Sequence, residues 1–172
     1  TTGREAPGRR LSALPLLDAA EARTVLIEWN STGAPYPRDR TVHELFEEQA
    51  REKPEAVALE LGNVTLTYRE LDGRARRLAR KLRGLGVVPG ELVGLFAERG
   101  IETIIGMLAI LKAGAAYLPI DPGYPGERIA FMLEDAQTRI LLAQPALVPR
   151  LPVLAATVVP LDAAGEEDGE LP

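Results

Sequence analysis

Residues 101–114, IETIIGMLAILKAG, have the length of a helix and are apolar on almost every side. A helix without a polar face has to be buried inside the protein. Short apolar runs lie on both sides of it, LVGLFA at 92–97 and AAYLP at 115–119, and such runs are typical of strands covered on both faces. The order strand, buried helix, strand predicts an α/β fold with a mostly parallel sheet and helices on both faces.

Further elements extend this architecture in both directions along the chain. Hairpin and helix signals come before the buried helix, and helix and strand signals come after it. The predicted upstream elements are a hairpin of AVALEL (56–61) and VTLT (64–67) around Gly62-Asn63, and a helix from Tyr68 to a stop near Gly84 or Gly86. The predicted downstream elements are a helix over RIAFMLEDA with Pro125 at its first position, a strand at RILLA (139–143) and a strand at VVPL near 158.

Two helices are predicted to lead into the sheet, over about 19–29 and about 42–52. Asp18 and Thr41 are suitable N-caps, and each is followed three residues later by a glutamate, in the spacing of a capping box. Both chain ends have the composition of connecting material, because the first ten residues are rich in Gly, Pro and Arg and residues 162–172 are acidic without a period.

Composition excludes several classes of function. The chain has no cysteine and one histidine, His43, so a disulfide, a thiolate nucleophile and a cysteine-ligated zinc are excluded. No run of about 18 apolar residues occurs, and the first residues, TTGREAPGRR, lack the apolar stretch of a signal peptide. With a formal charge of -5, the chain is not a general nucleic-acid binder. We therefore expect a cytoplasmic protein with no membrane segment, nucleic-acid partner or metal site.

The stretch LTYREL, residues 66–71, has a structural interpretation at each specified position. With Thr67 as N-cap, Glu70 can accept from the Thr67 amide in a capping box, and Leu66 and Leu71 are placed to form a hydrophobic staple. The Thr67→Ala substitution should therefore cost about 1 kcal/mol of stability through the lost cap. Tyr68 is the first helical residue.

No phosphate-binding loop is found in the sequence. GLGVVPG, residues 84–90, has Pro89 where a dinucleotide-binding loop needs glycine, and it leads from a helix into a strand instead of the reverse. No Walker sequence occurs, and neither Ser12 nor Ser31 lies in a nucleophile elbow.

The helix predicted from Tyr68 is rich in basic residues. A solvated polar face is the favoured interpretation, with contact to a neighbouring acidic domain as the alternative. His43, at the start of an exposed helix, is interpreted as a surface histidine. The basic positions are Arg69, Arg74, Arg76, Arg77, Arg80, Lys81 and Arg83.

The segment after the buried helix, AGAAYLPIDPGYPGERIAFMLED, contains a predicted turn. Asp121-Pro122-Gly123-Tyr124 fits a turn with proline second and glycine third, and Pro119 requires its strand to end there or to lie at a sheet edge. Asp121 and Tyr124 would follow the carboxyl end of a strand, where parallel sheets bind ligands. No second polar cluster is evident in the sequence, so a scaffold role is favoured.

LTYREL and LKAGAAYLPIDP together resemble the first two core motifs of the adenylation domains of nonribosomal peptide synthetases, which are adenylate-forming enzymes. LPLLDAAEARTVLIEWNSTGAPYP resembles the linker that follows a condensation domain, and TVHELFEEQAREKPEAVAL resembles the opening helix. The resemblance extends from about residue 14 to 161. The motif residues are Leu66, Thr67, Tyr68, Glu70 and Leu71 in the first, and Leu111, Lys112, Gly114, Tyr117, Pro119, Asp121 and Pro122 in the second.

This resemblance implies ATP-dependent activation of an amino acid to an aminoacyl adenylate and its transfer to the phosphopantetheine of a carrier domain. It implies ATP and magnesium as cofactors of the complete domain. The implied partners are the rest of the adenylation domain, an upstream condensation domain and a downstream carrier domain, with an MbtH-like protein as a further candidate. Lys112 belongs to the second motif and is distinct from the catalytic lysine; by position it is predicted to cap the end of its helix.

The resemblance also implies which parts are not in this sequence. The family places its phosphate loop, substrate pocket and catalytic lysine after the corresponding point, so we expect no catalytic, cofactor or metal residue here and no activity of this chain alone. The expected division is a linker with one helix at 1–40, the N-terminal part of the adenylation core at 41–161, and an acidic loop or linker at 162–172. Uncovered apolar surface would favour self-association.

Two alternatives to this interpretation stay open. The first is a non-catalytic interaction module that docks a condensation or carrier domain. The second is an acyl-CoA or aryl-acid ligase of the same superfamily, which the condensation-type linker before Thr41 makes less favourable.

Overall fold

The computed structural model describes residues 17–161, and the chain divides into two compact units between Asp39 and Arg40. In the first unit, helix α1 (Ala19–Arg23) continues into a π-helical turn (Thr24–Glu28). The predicted capping box is present, because Asp18 Oδ1 accepts from the Glu21 amide and Glu21 Oε2 accepts from the Asp18 amide, at 2.8 and 2.9 Å. The predicted helix of about 19–29 thus changes its winding halfway.

The second unit has the predicted α/β architecture. Its described α-helices are α2 (Val42–Glu52), α3 (Tyr68–Gly84), α4 (Ile101–Lys112) and α5 (Gly126–Asp135). An antiparallel hairpin of β1 (Val57–Leu61) and β2 (Val64–Thr67) precedes the parallel strands β3 (Leu92–Phe96), β4 (Ala116–Ile120), β5 (Ile140–Ala143) and β6 (Thr157–Pro160). A 3₁₀ helix (Pro145–Arg150) follows β5.

The four parallel strands form one sheet in the order β4-β3-β5-β6. Pro119 lies on the edge strand β4, opposite Leu95 of β3. The prediction that Pro119 ends its strand or lies at an edge is confirmed in its second form, since an edge strand tolerates the missing amide and continues to Ile120.

Helices cover both faces of the sheet, as predicted from the apolar strands. Alternate residues of β3 point to opposite faces. Val93 and Leu95 pack in a cluster with α3 and α4, whereas Phe96 packs in a second cluster with Ile129 and Leu133 of α5. The buried helix α4 also faces a third cluster, formed with the hairpin and the first half of α3.

Two details differ from the predictions. Pro125 is the N-cap of α5 and not its first helical residue, because its ψ of 145° is extended and its carbonyl accepts from the Arg128 and Ile129 amides. The 3₁₀ helix after β5 was not predicted, since its sequence PALVPR has no helical period. Within residues 17–161, no helix is long and apolar enough to span a membrane.

Candidate functional site

The carboxyl ends of β3, β4 and β5 meet at one edge of the sheet, because these strands are parallel neighbours. Open α/β sheets bind their ligands at this edge. The candidate site therefore consists of the segment between β3 and α4, the Asp121–Tyr124 loop after β4, and Gln144 after β5.

Gln144 connects two of these three segments. Its amide donates to the Phe96 carbonyl at 3.1 Å, and its side-chain Oε1 accepts from the Glu98 amide at 2.8 Å. Its Nε2 lies 3.5 Å from Glu102 Oε2, in the first turn of α4. Thr103 Oγ1 donates to the Glu98 carbonyl at 2.5 Å. The segment between β3 and α4 is thus fixed from both sides.

The Asp121 loop forms the predicted turn. The Tyr124 amide donates to the Asp121 carbonyl at 3.0 Å, and the Gly123 amide donates to Asp121 Oδ1 at 2.8 Å. The guanidinium of Arg128 lies over the Tyr124 ring, 4.2 Å from its centre. The Asp121 carboxylate therefore shapes its own loop, which agrees with the scaffold interpretation of this residue.

Arg150 links this loop to the segment after β3. Its Nη2 donates to the Pro122 carbonyl at 2.7 Å, and its Nη1 lies 3.9 Å from Glu98 Oε1. Sequence reasoning missed Glu98, Gln144 and Arg150. The first two follow predicted strands directly, and that position was the available signal; Arg150 lies on the 3₁₀ helix, which had none.

The chemistry available at this edge is limited to hydrogen bonding and charge. The side chains of Glu98 and Arg150 are 67% and 52% exposed, so water screens their interaction. Within residues 17–161, no cluster of three His, Cys, Asp or Glu side chains could hold a metal ion. In that range the polar groups of the edge connect strand ends and form no nucleophile–base pair.

The first motif forms the junction between β2 and α3, as predicted. The Thr67 amide and hydroxyl donate to Glu70 Oε2 at 2.8 and 2.9 Å, and the Glu70 amide is 3.3 Å from Thr67 Oγ1. The backbone and then the side-chain hydrogen bond from Thr67 lower the pKa of the Glu70 carboxyl. Leu66 and Leu71 are buried together, and the Tyr68 ring packs on Phe46, 5.7 Å between centres.

Lys112, in the second motif, has a different role from the predicted one. Its side chain is 4% exposed, and its ammonium pairs with Glu47 of α2 and with Asp72 Oδ1 of α3, the latter at 2.9 Å. The Phe46 ring centre is 5.6 Å from the ammonium. The prediction that Lys112 caps its own helix is wrong, because Arg83 donates to the Lys112 carbonyl instead. Lys112 joins three helices.

The rest of the second motif borders a shallow groove of about 320 Å³. Gly114 has a φ of +89°, the left-handed conformation that ends α4, and its carbonyl accepts from the Gly90 amide at 3.0 Å. The groove is lined by Leu111, Gly114, Ala115 and Tyr117 and by Thr41, Val42 and His43 at the start of α2. His43 Nε2 lies 3.3 Å from Thr41 Oγ1, which fits a surface histidine.

Comparison with known families and proteins agrees with this architecture. The family described as AMP-binding enzyme matches residues 46–171. A linear gramicidin synthase of Brevibacillus parabrevis is 49% identical over 156 residues, which cover 91% of this chain and 3% of that protein. The chain thus spans a small fraction of the length of this relative.

Solved structures give the same result. The nonribosomal peptide synthetase FmoA3 (S1046A) in its AMPPNP-bound form has a TM-score of 0.73 and 38% identity, covering 93% of this chain and 18% of that one. NpsA-ThdA, an artificially fused adenylation-PCP di-domain from Klebsiella oxytoca, has a TM-score of 0.66 and 29% identity, covering 77% and 26%. With the family match over more than half of its residues, this chain belongs to the AMP-binding enzyme family.

Proposed function

We propose that this chain is the N-terminal part of an adenylation domain that activates an amino acid with ATP to an aminoacyl adenylate. The observation on which this depends most is the 49% identity to the linear gramicidin synthase over 91% of the chain. The FmoA3 relative, described as a nonribosomal peptide synthetase, binds AMPPNP in one structure and α-methyl-L-serine-AMP in another, which supports the reaction class.

In this proposal the described residues support the site and do not react. At the carboxyl edge, Glu98, Gln144 and Arg150 fix the loops on which ligand-binding segments would rest. The described residues do not fit ATP or Mg²⁺ by themselves, because within 17–161 they offer no three-ligand cluster for a metal ion. We derive no step through these cofactors and propose that the 172-residue chain alone is inactive.

We further propose the division into a linker at 1–40, the beginning of the adenylation core at 41–161, and an acidic loop or linker at 162–172. The partners would be the remainder of the adenylation domain, a condensation domain before it and a carrier domain with phosphopantetheine after it; an MbtH-like protein is a further candidate. The NpsA-ThdA di-domain, in which an adenylation domain is fused to a PCP, supports the carrier partner.

Pyrophosphate exchange tests the proposal in two steps. First, the purified chain with ATP, magnesium and each amino acid should show no exchange above the blank; exchange would contradict the inactivity of the isolated chain. Second, residues 41–161 are exchanged for the corresponding segment of the FmoA3 adenylation domain. The chimera should retain exchange with α-methyl-L-serine. A chimera that folds, as judged by circular dichroism and gel filtration, but has no activity would refute the adenylation function and favour an interaction module.

A further inference from the structure

We propose that the outer face of α3 docks an acidic helical segment of a partner protein. This face is defined by Gly73, Arg77, Arg80 and Lys81. Arg and Lys occupy seven positions of α3 and Asp and Glu only two, whereas the whole chain has a formal charge of -5. Positive charge is thus concentrated on one helix of an acidic protein, a separation that favours contact with an acidic surface.

Three of the basic side chains of α3 already have partners within the chain. Arg69 pairs with Glu55 at 2.5 Å, Arg76 pairs with Asp72 at 2.8 Å, and Arg83 donates to the Lys112 carbonyl. These contacts hold the helix to its surroundings. They explain part of the basic composition by structure alone.

Arg77, Arg80 and Lys81 differ from that group. All three are exposed, and within residues 17–161 no carboxylate forms an ion pair with any of them. Their spacing of i, i+3 and i+4 places the three charges on one side of the helix. A partner helix with carboxylates at the same spacing would match them.

Gly73 is a second, independent feature of the same face. Glycine is a poor helix former, and Gly73 has neither a positive φ nor a crowded position: an added Cβ would meet only Arg77 Nη1, at 3.7 Å. By contrast, a Cβ at Gly106 of α4 would lie 2.9 Å from Leu95 Cδ1, so packing within the chain requires that glycine. Close approach of a partner's backbone gives a reason for Gly73 that the described residues do not.

A protein partner fits this face better than a nucleic acid. Tight nucleic-acid binding commonly uses about 6–10 phosphate contacts, together with aromatic stacking on single strands. The outer face of α3 offers three cations without a partner in the described range, and the aromatic residue of the helix, Tyr68, packs on Phe46. A few charge pairs suffice for a protein contact.

The test uses the full 172-residue chain and a fluorescein-labelled helical peptide of about 20 residues, the length that spans α3. The peptide has glutamates at positions three and four apart on one face, and a second peptide has glutamines there. Fluorescence anisotropy at 150 mM salt measures binding. We expect R77E/K81E to weaken binding of the acidic peptide at least tenfold, and the glutamine peptide not to bind.

The matched control is R51E/K53E, which reverses one Arg and one Lys at exposed positions at the end of α2. It should change the affinity less than twofold. G73A separates docking from folding: alanine should raise the Tm by about 2–4 °C while weakening binding several-fold.

Three outcomes would overturn the inference: no binding of the acidic peptide to the natural chain, equal losses in the two charge-reversed variants, or tighter binding of a DNA duplex of equal charge. A G73A variant that is more stable and binds as tightly as the natural chain would also contradict it, because the close approach would then be absent. None of these outcomes involves adenylation, so docking and the proposed function can fail separately.

Discussion

Replacing Lys112 by methionine removes the ammonium that joins α2, α3 and α4 while keeping the length and the apolar stem of the side chain. Removal of one partner from a buried ion pair typically costs about 3–5 kcal/mol. Here Asp72, whose side chain is 13% exposed, keeps its pair with Arg76 at 2.8 Å, and Glu47 is 34% exposed and can be rehydrated. We therefore expect a loss near the low end, about 3 kcal/mol.

The same structure predicts how the loss is recovered. In K112M the cost comes from the carboxylates of Asp72 and Glu47, which lose their shared cation. Adding Asp72→Asn and Glu47→Gln replaces those charges by neutral groups of equal size. Buried ion pairs exchanged as a whole for uncharged groups are often close to neutral in stability, so the triple variant should recover to within about 1 kcal/mol of the natural chain.

Urea unfolding followed by circular dichroism at 222 nm measures both variants. With a denaturant dependence of about 2 kcal/mol per molar urea, the K112M midpoint should fall by about 1.5 M. A fall below about 0.5 M would show that the ammonium contributes little to holding the three helices together. A triple variant no more stable than K112M would refute the assignment of the loss to the two unpaired carboxylates.

Three other substitutions have defined outcomes. Gly94→Ala places a Cβ 2.6 Å from Leu141 Cδ1 within the sheet and should cost about 1–3 kcal/mol in urea unfolding; an unchanged midpoint would contradict the packing. Thr138 Oγ1 is buried with no hydrogen-bond partner among residues 17–161, so Thr138→Val should stabilise by about 1 kcal/mol, and a destabilised variant would indicate a partner. The Thr67 hydrogen bonds lower the pKa of Glu70 below its ordinary 4.5, so their stabilisation is present above that pH and is lost as the pH falls through the folded-state pKa; Glu70→Gln should flatten the Tm between pH 5 and 3, roughly the range in which a carboxyl titrates, and a slope equal to that of the natural chain would refute this.

Local features of the structure could be predicted from the sequence. The capping box at Thr67 depends on residues three apart, and the Asp121 turn on four consecutive residues. The burial of α4 follows from its lack of a polar face. Each of these predictions uses a range shorter than about 15 residues, where spacing alone determines which side chains can meet.

Features that depend on long-range neighbours could not be predicted. Strand β3 lies between β4 and β5, and this order brings Gln144 to the Glu98 amide across 46 positions of sequence. Lys112 meets Glu47 across 65 positions, so its location in the last turn of a helix suggested a cap when its charge served a buried contact. No periodicity encodes such pairs, because they follow from how whole elements pack.

The second motif, LKAGAAYLPIDP, shows what a family motif can consist of. Lys112 joins three helices, Gly114 ends α4 in a left-handed conformation, Pro119 lies on the edge strand, and Asp121 closes a turn. Each residue has a structural task that another side chain would perform less well, and none of these contacts is a reaction. A sequence under this kind of constraint identifies its family through its scaffold. The adenylation chemistry proposed for this chain therefore rests on its relatives, while its own residues account for the sheet edge on which such a site is built.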